Sequence, residues 1–185
     1  MREKGAAGLL PDCEGEYATL PPGIHDATLS EVCTKFVEEA PPESRERRQL
    51  IFRAVELHIA RVRMAFSGHP VRVWLDGSFV THKPWAPPND ADLAFLVPGS
   101  LYSRVTSPKA LPLWTLADVR AKIGTADVAT DKLHTCLGLT EGYAVNADNP
   151  LAVERQRRTW AKVKGPDGKI VEGVVKGFVE VRADD

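Results

Sequence analysis

The sequence predicts an α+β domain: a mixed β-sheet with helices packed on one side and a β-hairpin toward the C-terminal end. Three observations carry this. Helix signals gather early, where Ile51, Val55, His58, Val62 and Phe66 recur at helical spacing. Strand signals follow, where Val71, Val73 and Leu75 alternate with Arg72 and Trp74. The last stretch, VKGPDGKIVEGVVKGFVEV, holds two β-rich runs near a Pro-Asp-Gly turn.

In chain order, residues 1–27 read as an irregular N-terminal segment of Gly, Pro and acidic residues, and 28–185 as a single domain. Thr28-Leu-Ser-Glu31 is a capping-box pattern, so a helix is expected over 29–39, stopped by Pro41-Pro42. A longer helix is expected over 42–66, with Arg53, Glu56 and Arg63 opposite its apolar stripe and Ser67-Gly68-His69-Pro70 ending it. His58 lies on the stripe and reads as a packed core histidine rather than a ligand. A strand is expected over 71–75, a proline-rich loop over 81–89, and over 91–97 an apolar strand covered on both faces, antiparallel to the first. Residues 101–130 have mixed periodicity and fit helix or strand. LGLTEGYAV, 137–145, reads as a strand, and 151–162 as a helix.

The totals narrow the function classes. The 185 residues suit one domain, with 43% hydrophobic and 26% charged residues. A formal net charge of −1 gives no global field that would attract nucleic acid or an anionic membrane. The three cysteines, Cys13, Cys33 and Cys136, form no CxxC pair and fit neither a disulfide framework nor a zinc knuckle. A reducing cytoplasm is the expected setting. The first residues make a poor signal peptide, and no apolar run approaches the ~18–20 residues that span a bilayer.

The chemistry concentrates in WLDGSFVTHKPWAPPNDADLAF, residues 74–95. Asp90 and Asp92 stand two apart at the start of an apolar strand, so their carboxylates point the same way. Carboxylates that close remain ionised together only beside a cation. An all-oxygen set suits Mg2+ or Mn2+. Gly77 lacks a Cβ, so a phosphate can approach its backbone, and the Ser78 hydroxyl can donate to phosphate oxygens. The two pieces together make a phosphate cradle facing a metal-binding carboxylate pair, suited to a nucleoside triphosphate.

Gly77-Ser78 followed by Asp90-x-Asp92 resembles the signature of the DNA polymerase β-like nucleotidyltransferase superfamily. The phrases LPPGIHDAT, LDGSFVTHKPWAPPNDADLAF and VKGFVEV look like a subgroup of small bacterial nucleotidyltransferase-like proteins. The resemblance implies transfer of a nucleoside monophosphate from a nucleoside triphosphate to a hydroxyl on a small molecule, an RNA or a protein. It also implies a third acidic residue on a later strand, which completes the metal site and acts as base. Glu141 is the first choice, Asp127 the second and Asp118 the third.

Other features carry blander readings. The basic residues at 45–63 and 155–164 read as solvated helix faces balanced by glutamates; the sharper reading is a groove for RNA or a protein partner, with Trp160 stacking a base. His82 and Lys83 border the expected nucleotide site, where Lys83 could pair with a phosphate. Asp12, Cys13, His25 and Cys33 match no zinc spacing. The rival function is a catalytically inactive relative acting as a regulatory or toxin–antitoxin-type interaction module.

Overall fold

The structure, a computed structural model, describes residues 10–66 and 69–182. In chain order it contains β1 (Gly23–Ala27), α1 (Leu29–Cys33), α2 (Arg45–Ala65), β2 (Arg72–Asp76) and β3 (Ala91–Val97). There follow β4 (Leu116–Ile123), β5 (Ala126–Leu133), β6 (Thr140–Asn146), α3 (Pro150–Trp160), β7 (Lys162–Lys164), β8 (Ile170–Val175) and β9 (Gly177–Val181). Five strands form the central sheet in the order β1-β9-β2-β3-β6. The β1–β9 and β3–β6 pairs are parallel; the β2–β9 and β2–β3 pairs are antiparallel. Two separate hairpins, β4–β5 and β7–β8, complete the mixed α+β fold.

The helices form where the sequence signals them. Thr28 caps α1: the Glu31 N–H donates to Thr28 Oγ1 at 3.2 Å, and the Thr28 N–H donates to Glu31 Oε2 at 2.7 Å. The chain then passes into a five-residue π-helical turn, Thr34–Glu38, which buries Phe36 and Val37. The helix expected over 29–39 is therefore two joined segments. Pro42 opens a short 3-10 turn, Pro42–Ser44, that leads into α2. The stripe Ile51, Val55, His58, Val62 and Phe66 is buried throughout, whereas Arg53 and Glu56 are exposed. Ser67 and Gly68, expected to end this helix, lie outside the described residues.

Alternation along β3 explains why its sequence is almost wholly apolar. Ala91, Leu93, Phe95 and Val97 enter one core with α1, α2, Val73, Leu75 and Val179. Ala94 and Leu96 enter a second, smaller core with Trp74, Val145, Phe178 and Trp160. The expected helical layer of α1 and α2 is thus joined by α3 on the other face of the sheet. Trp160 is 7% exposed and packs edge-on against Phe178 at 5.8 Å, so it is a core residue and not a base-stacking platform. The neighbouring Arg157 and Arg158 pair with Glu154 on the solvated face of α3.

Several elements differ from expectation. The segment expected to be irregular supplies β1, which pairs with β9 residue for residue, and it buries Leu10 and Leu20. Residues 101–130 resolve into short 3-10 turns followed by the β4–β5 hairpin, whose β5 strand is exposed along its whole length. A hairpin solvated on both faces leaves no burial period in its sequence. The C-terminal runs divide at Lys176: β7 and β8 form the expected hairpin, but β9 enters the central sheet between β1 and β2.

His58 fills a core position, as the stripe implies. It hydrogen-bonds the Leu113 carbonyl through Nε2 at 2.8 Å and Thr140 Oγ1 through Nδ1 at 3.0 Å. Burial lowers its pKa. Gly142 lies against the ring, and a Cβ there would fall 2.5 Å from His58 Cε1 and 2.7 Å from the Leu113 oxygen. Overpacking of a filled core costs about 1–3 kcal/mol. Gly142→Ala is expected to lower the unfolding free energy by that amount in chemical denaturation. In a double-mutant cycle, His58→Ala should recover part of the loss.

Candidate metal and nucleotide site

Strand register sets three carboxylates in one row. Asp76 pairs with Asp92 across β2–β3, and Asp92 pairs with Glu141 across β3–β6. Cross-strand partners share a face and stand about 4.5–5.5 Å apart at Cβ. By alternation this is the face that carries Ala94 and Leu96, so the row continues the smaller core toward the end of the sheet where Asp90 enters β3. Opposed like charges destabilise a sheet unless something neutralises them.

The two ends of the row are neutralised by lysines from distant strands. Lys176, between β8 and β9, pairs with Asp76, and both are at most 7% exposed. Burial still raises the Asp76 carboxyl, against the pull of Lys176. Lys132, near the end of β5, donates to both oxygens of Glu141 at 2.7 and 2.8 Å. The Tyr143 hydroxyl also donates to Glu141. Although burial pushes Glu141 up, these two donors hold it below the usual carboxylate range. Tyr143 is raised in turn by burial and by that hydrogen bond.

Asp92, in the middle, forms no salt bridge among the described residues. Burial, followed by the charges of Asp76, Glu141 and Asp90, raises it to about 7. Asp90 is raised by burial and by Glu141. Gly77 backs directly onto Asp92. Its φ is +86°, and a Cβ would lie 2.5 Å from Asp92 Oδ2, so both conformation and space require glycine here. Ser78 opens a three-residue 3-10 turn, Ser78–Val80, and no helix follows it to add a dipole.

That turn is shaped from below by Arg48. Its guanidinium is 1% exposed and donates to the carbonyls of Phe79 at 2.7 Å, Thr81 at 2.5 Å and Phe36 at 3.1 Å, and to Ser44 Oγ at 3.1 Å. Arg48 is therefore an exception to the solvated reading of the 45–63 cluster. His82 bonds the Lys35 carbonyl through Nε2 at 2.8 Å, and Lys83 Nζ stands 6.0 Å from the Trp85 ring.

Asp90 and Glu141 come within common-ligand distance, whereas Asp92, the cross-strand partner of Glu141 beside Gly77, lies outside that group. Asp127 and Asp118 sit on the exposed β4–β5 hairpin; Asp127 pairs with Lys122 at 3.5 Å, and Asp118 takes a left-handed φ of 51°. Sequence reasoning missed four residues here: Asp76, Lys176, Lys132 and His134. Asp76 was available as the acidic neighbour of Gly77 in Leu-Asp-Gly-Ser. The others depend on long-range pairing.

His134 Nδ1 lies 3.4 Å from Asp90 Oδ2 and 3.5 Å from Glu141 Oε1. This buried atom has no hydrogen-bond partner among the described residues. Among the described residues, Asp90, His134 and Glu141 form a group whose ligand atoms all lie within 4.8 Å of one another. Cys13, Cys33 and Cys136 are free thiols and do not join it.

Because Asp92 is raised toward neutrality, its contribution has a definite sign. An acid with an elevated folded-state pKa weakens the fold as the pH climbs from its ordinary value toward 7. Asp92→Asn is expected to stabilise the metal-free protein by roughly 2–4 kcal/mol at pH 8, with the gain shrinking toward zero as the pH falls to 4. Urea unfolding across that range checks both the sign and the window.

No helix among the described residues is long and apolar enough to cross a membrane. Comparison with curated proteins finds no match, and neither does comparison with solved structures. A family model matches residues 11–182, from before the first strand through the last, and the carboxylate row and Gly77 fall inside it. On that match the chain belongs to a family of unknown function, DUF6932.

Proposed function

We propose that this protein is a metal-dependent nucleotidyltransferase that moves a nucleoside monophosphate from a nucleoside triphosphate to a hydroxyl acceptor. The observation that carries the reading is Asp92: a buried carboxylate between two others, raised to about 7, with its back against a glycine that leaves no room for a side chain. The donor set fits a divalent cation, since Asp90, Asp92 and Glu141 offer oxygens and the partnerless His134 Nδ1 faces two of them.

Asp90, Asp92 and Glu141 would hold the cation, Mg2+ or Mn2+, whose chemistry is to neutralise and orient the phosphates. Gly77 and Ser78 offer an N–H and a hydroxyl to the terminal phosphates. The acceptor oxygen bonds to the α-phosphorus as the bond to pyrophosphate breaks. Glu141 takes the acceptor's proton once Lys132 has left it and freed its two oxygens.

One observation favours a second reading. The Lys132 ammonium occupies the cation-facing side of Glu141, as a fixed positive charge would in an inactive relative that serves as a regulatory or toxin–antitoxin-type module. The acceptor in the first reading is a small molecule, an RNA or a protein; in the second, the partner is a protein. A steep loss of binding with salt would point to RNA.

Titration calorimetry with a non-hydrolysable ATP analogue separates the readings. The wild type is expected to bind it only with Mg2+ or Mn2+ present, and Asp90→Ala/Asp92→Ala to lose that binding. Failure with all four nucleotides would sink the transferase reading. Lys132→Met removes a competing charge and is expected to tighten divalent-ion binding by about tenfold, near the energy of one partly exposed ion pair. In the second reading Lys132→Met leaves the protein without measurable ion binding.

A further inference from the structure

The reading above treats the site as one of oxygen donors, yet the chain brings a nitrogen to it, and by a defined route. Thr135 and Thr140 form an antiparallel bridge across the turn 136–139. The Thr135 N–H donates to the Thr140 carbonyl at 3.0 Å, and Thr135 Oγ1 donates to the same oxygen at 2.9 Å. Thr140 is in turn fixed by His58 from the core. One step outward from this bridge, antiparallel geometry sets His134 opposite Glu141.

The distances suit shared ligation. Donor atoms about 2.0–2.2 Å from one ion lie roughly 3.0–3.6 Å from each other at octahedral or tetrahedral angles. His134 Nδ1 is at 3.4 Å from one carboxylate oxygen and 3.5 Å from another. Those separations are too long for good hydrogen bonds, and Nδ1 is buried without any. A buried, unpaired imidazole nitrogen aimed between two carboxylates lacks only a shared electrophile. Lys132, the competing cation, has a side chain 44% exposed, so it can withdraw into solvent.

We propose that His134 is a direct nitrogen ligand of this site, through Nδ1, and that the site therefore takes a first-row transition ion of the Mn2+ class in preference to Mg2+. The inference rests on the reading that Asp90, Asp92 and Glu141 hold a divalent cation. Imidazole adds affinity for transition ions, whereas Mg2+ favours oxygen donors and keeps its waters.

The test uses the full chain with Mn2+ alone and Mg2+ alone, without nucleotide. Calorimetry is expected to show Mn2+ binding at least about tenfold tighter than Mg2+. Electron spin-echo spectra of the Mn2+ form should show coupling to one directly bound 14N. In His134→Ala and His134→Gln, Mn2+ affinity should fall roughly tenfold or more, Mg2+ affinity should stay within about twofold, and the nitrogen coupling should vanish. The proposal is overturned if Mn2+ binds the wild type without nitrogen coupling, or if both variants keep the wild-type ratio of Mn2+ to Mg2+ affinity. The wild-type spectrum decides even where a variant folds poorly. Absence of binding by either ion overturns the proposal together with the cation site itself, whereas binding without His134 overturns the proposal alone.

Discussion

Three carboxylates abreast on three hydrogen-bonded strands are the constraint around which the rest of this molecule is arranged. Asp76, Asp92 and Glu141 cannot all be charged and buried at cross-strand distance without compensation. The outer two receive lysines: Lys176 from the approach to β9 and Lys132 from the β5 arm. Breaking the buried Lys176–Asp76 pair from one side costs about 3–5 kcal/mol, far more than the partly exposed Lys132–Glu141 pair is worth. The row thus fixes where two remote segments must dock. The central carboxylate, Asp92, forms no salt bridge among the described residues; Gly77, which has no Cβ, backs onto it, and the Asp90 charge acts on it from the head of the same strand.

The other organising charge is Arg48, which among the described residues has no carboxylate partner in its hydrogen bonds. Its guanidinium is held by backbone carbonyls from the π-helical turn and from the segment after Ser78. Burial pulls it down to about 10, so it remains a cation at neutral pH. Hydrogen bonds to charged groups contribute about 1.5–3 kcal/mol each, and carbonyl dipoles here do the work of an anion. The loop beside Gly77 is consequently tied to α2 rather than left to its own turn propensity.

What was legible in the sequence was whatever short-range pattern encodes. The β3 strand showed as an apolar run because both of its faces are covered, and Asp90 and Asp92 stood out because charge is costly at the head of such a strand. The α2 stripe and the Thr28 cap are likewise local. The π-helical turn was invisible, because five residues are too few for a change of turn to show in the apolar spacing. The β4–β5 arm was illegible for the opposite reason: exposed on both sides, it carries no period, which is why Asp118 and Asp127 stood as rivals to Glu141. Lys176, Lys132 and His134 were out of reach because their roles follow from which strands pair. Gly142 stood beside Glu141 in the sequence without a reason, and the His58 ring supplies it.

The position of β9 bears on how the chain is made. Gly23 pairs with Gly177 and Val73 with Val181, so the strand that joins β1 to the rest of the sheet is translated after every other strand in it. During synthesis β3 can add to β2, and β6 to β3, as they emerge, since each finds its partner already made. The first strand has nothing to pair with until about 150 residues later, a loop closure that is entropically slow. Until then the flank of β2 is an open edge, of the kind that invites pairing with other chains. Lys176 arrives with the same late segment, so Asp76 stays unpaired on the ribosome for as long as the edge stays open, and a single event, the insertion of β9, closes the sheet and neutralises one end of the carboxylate row.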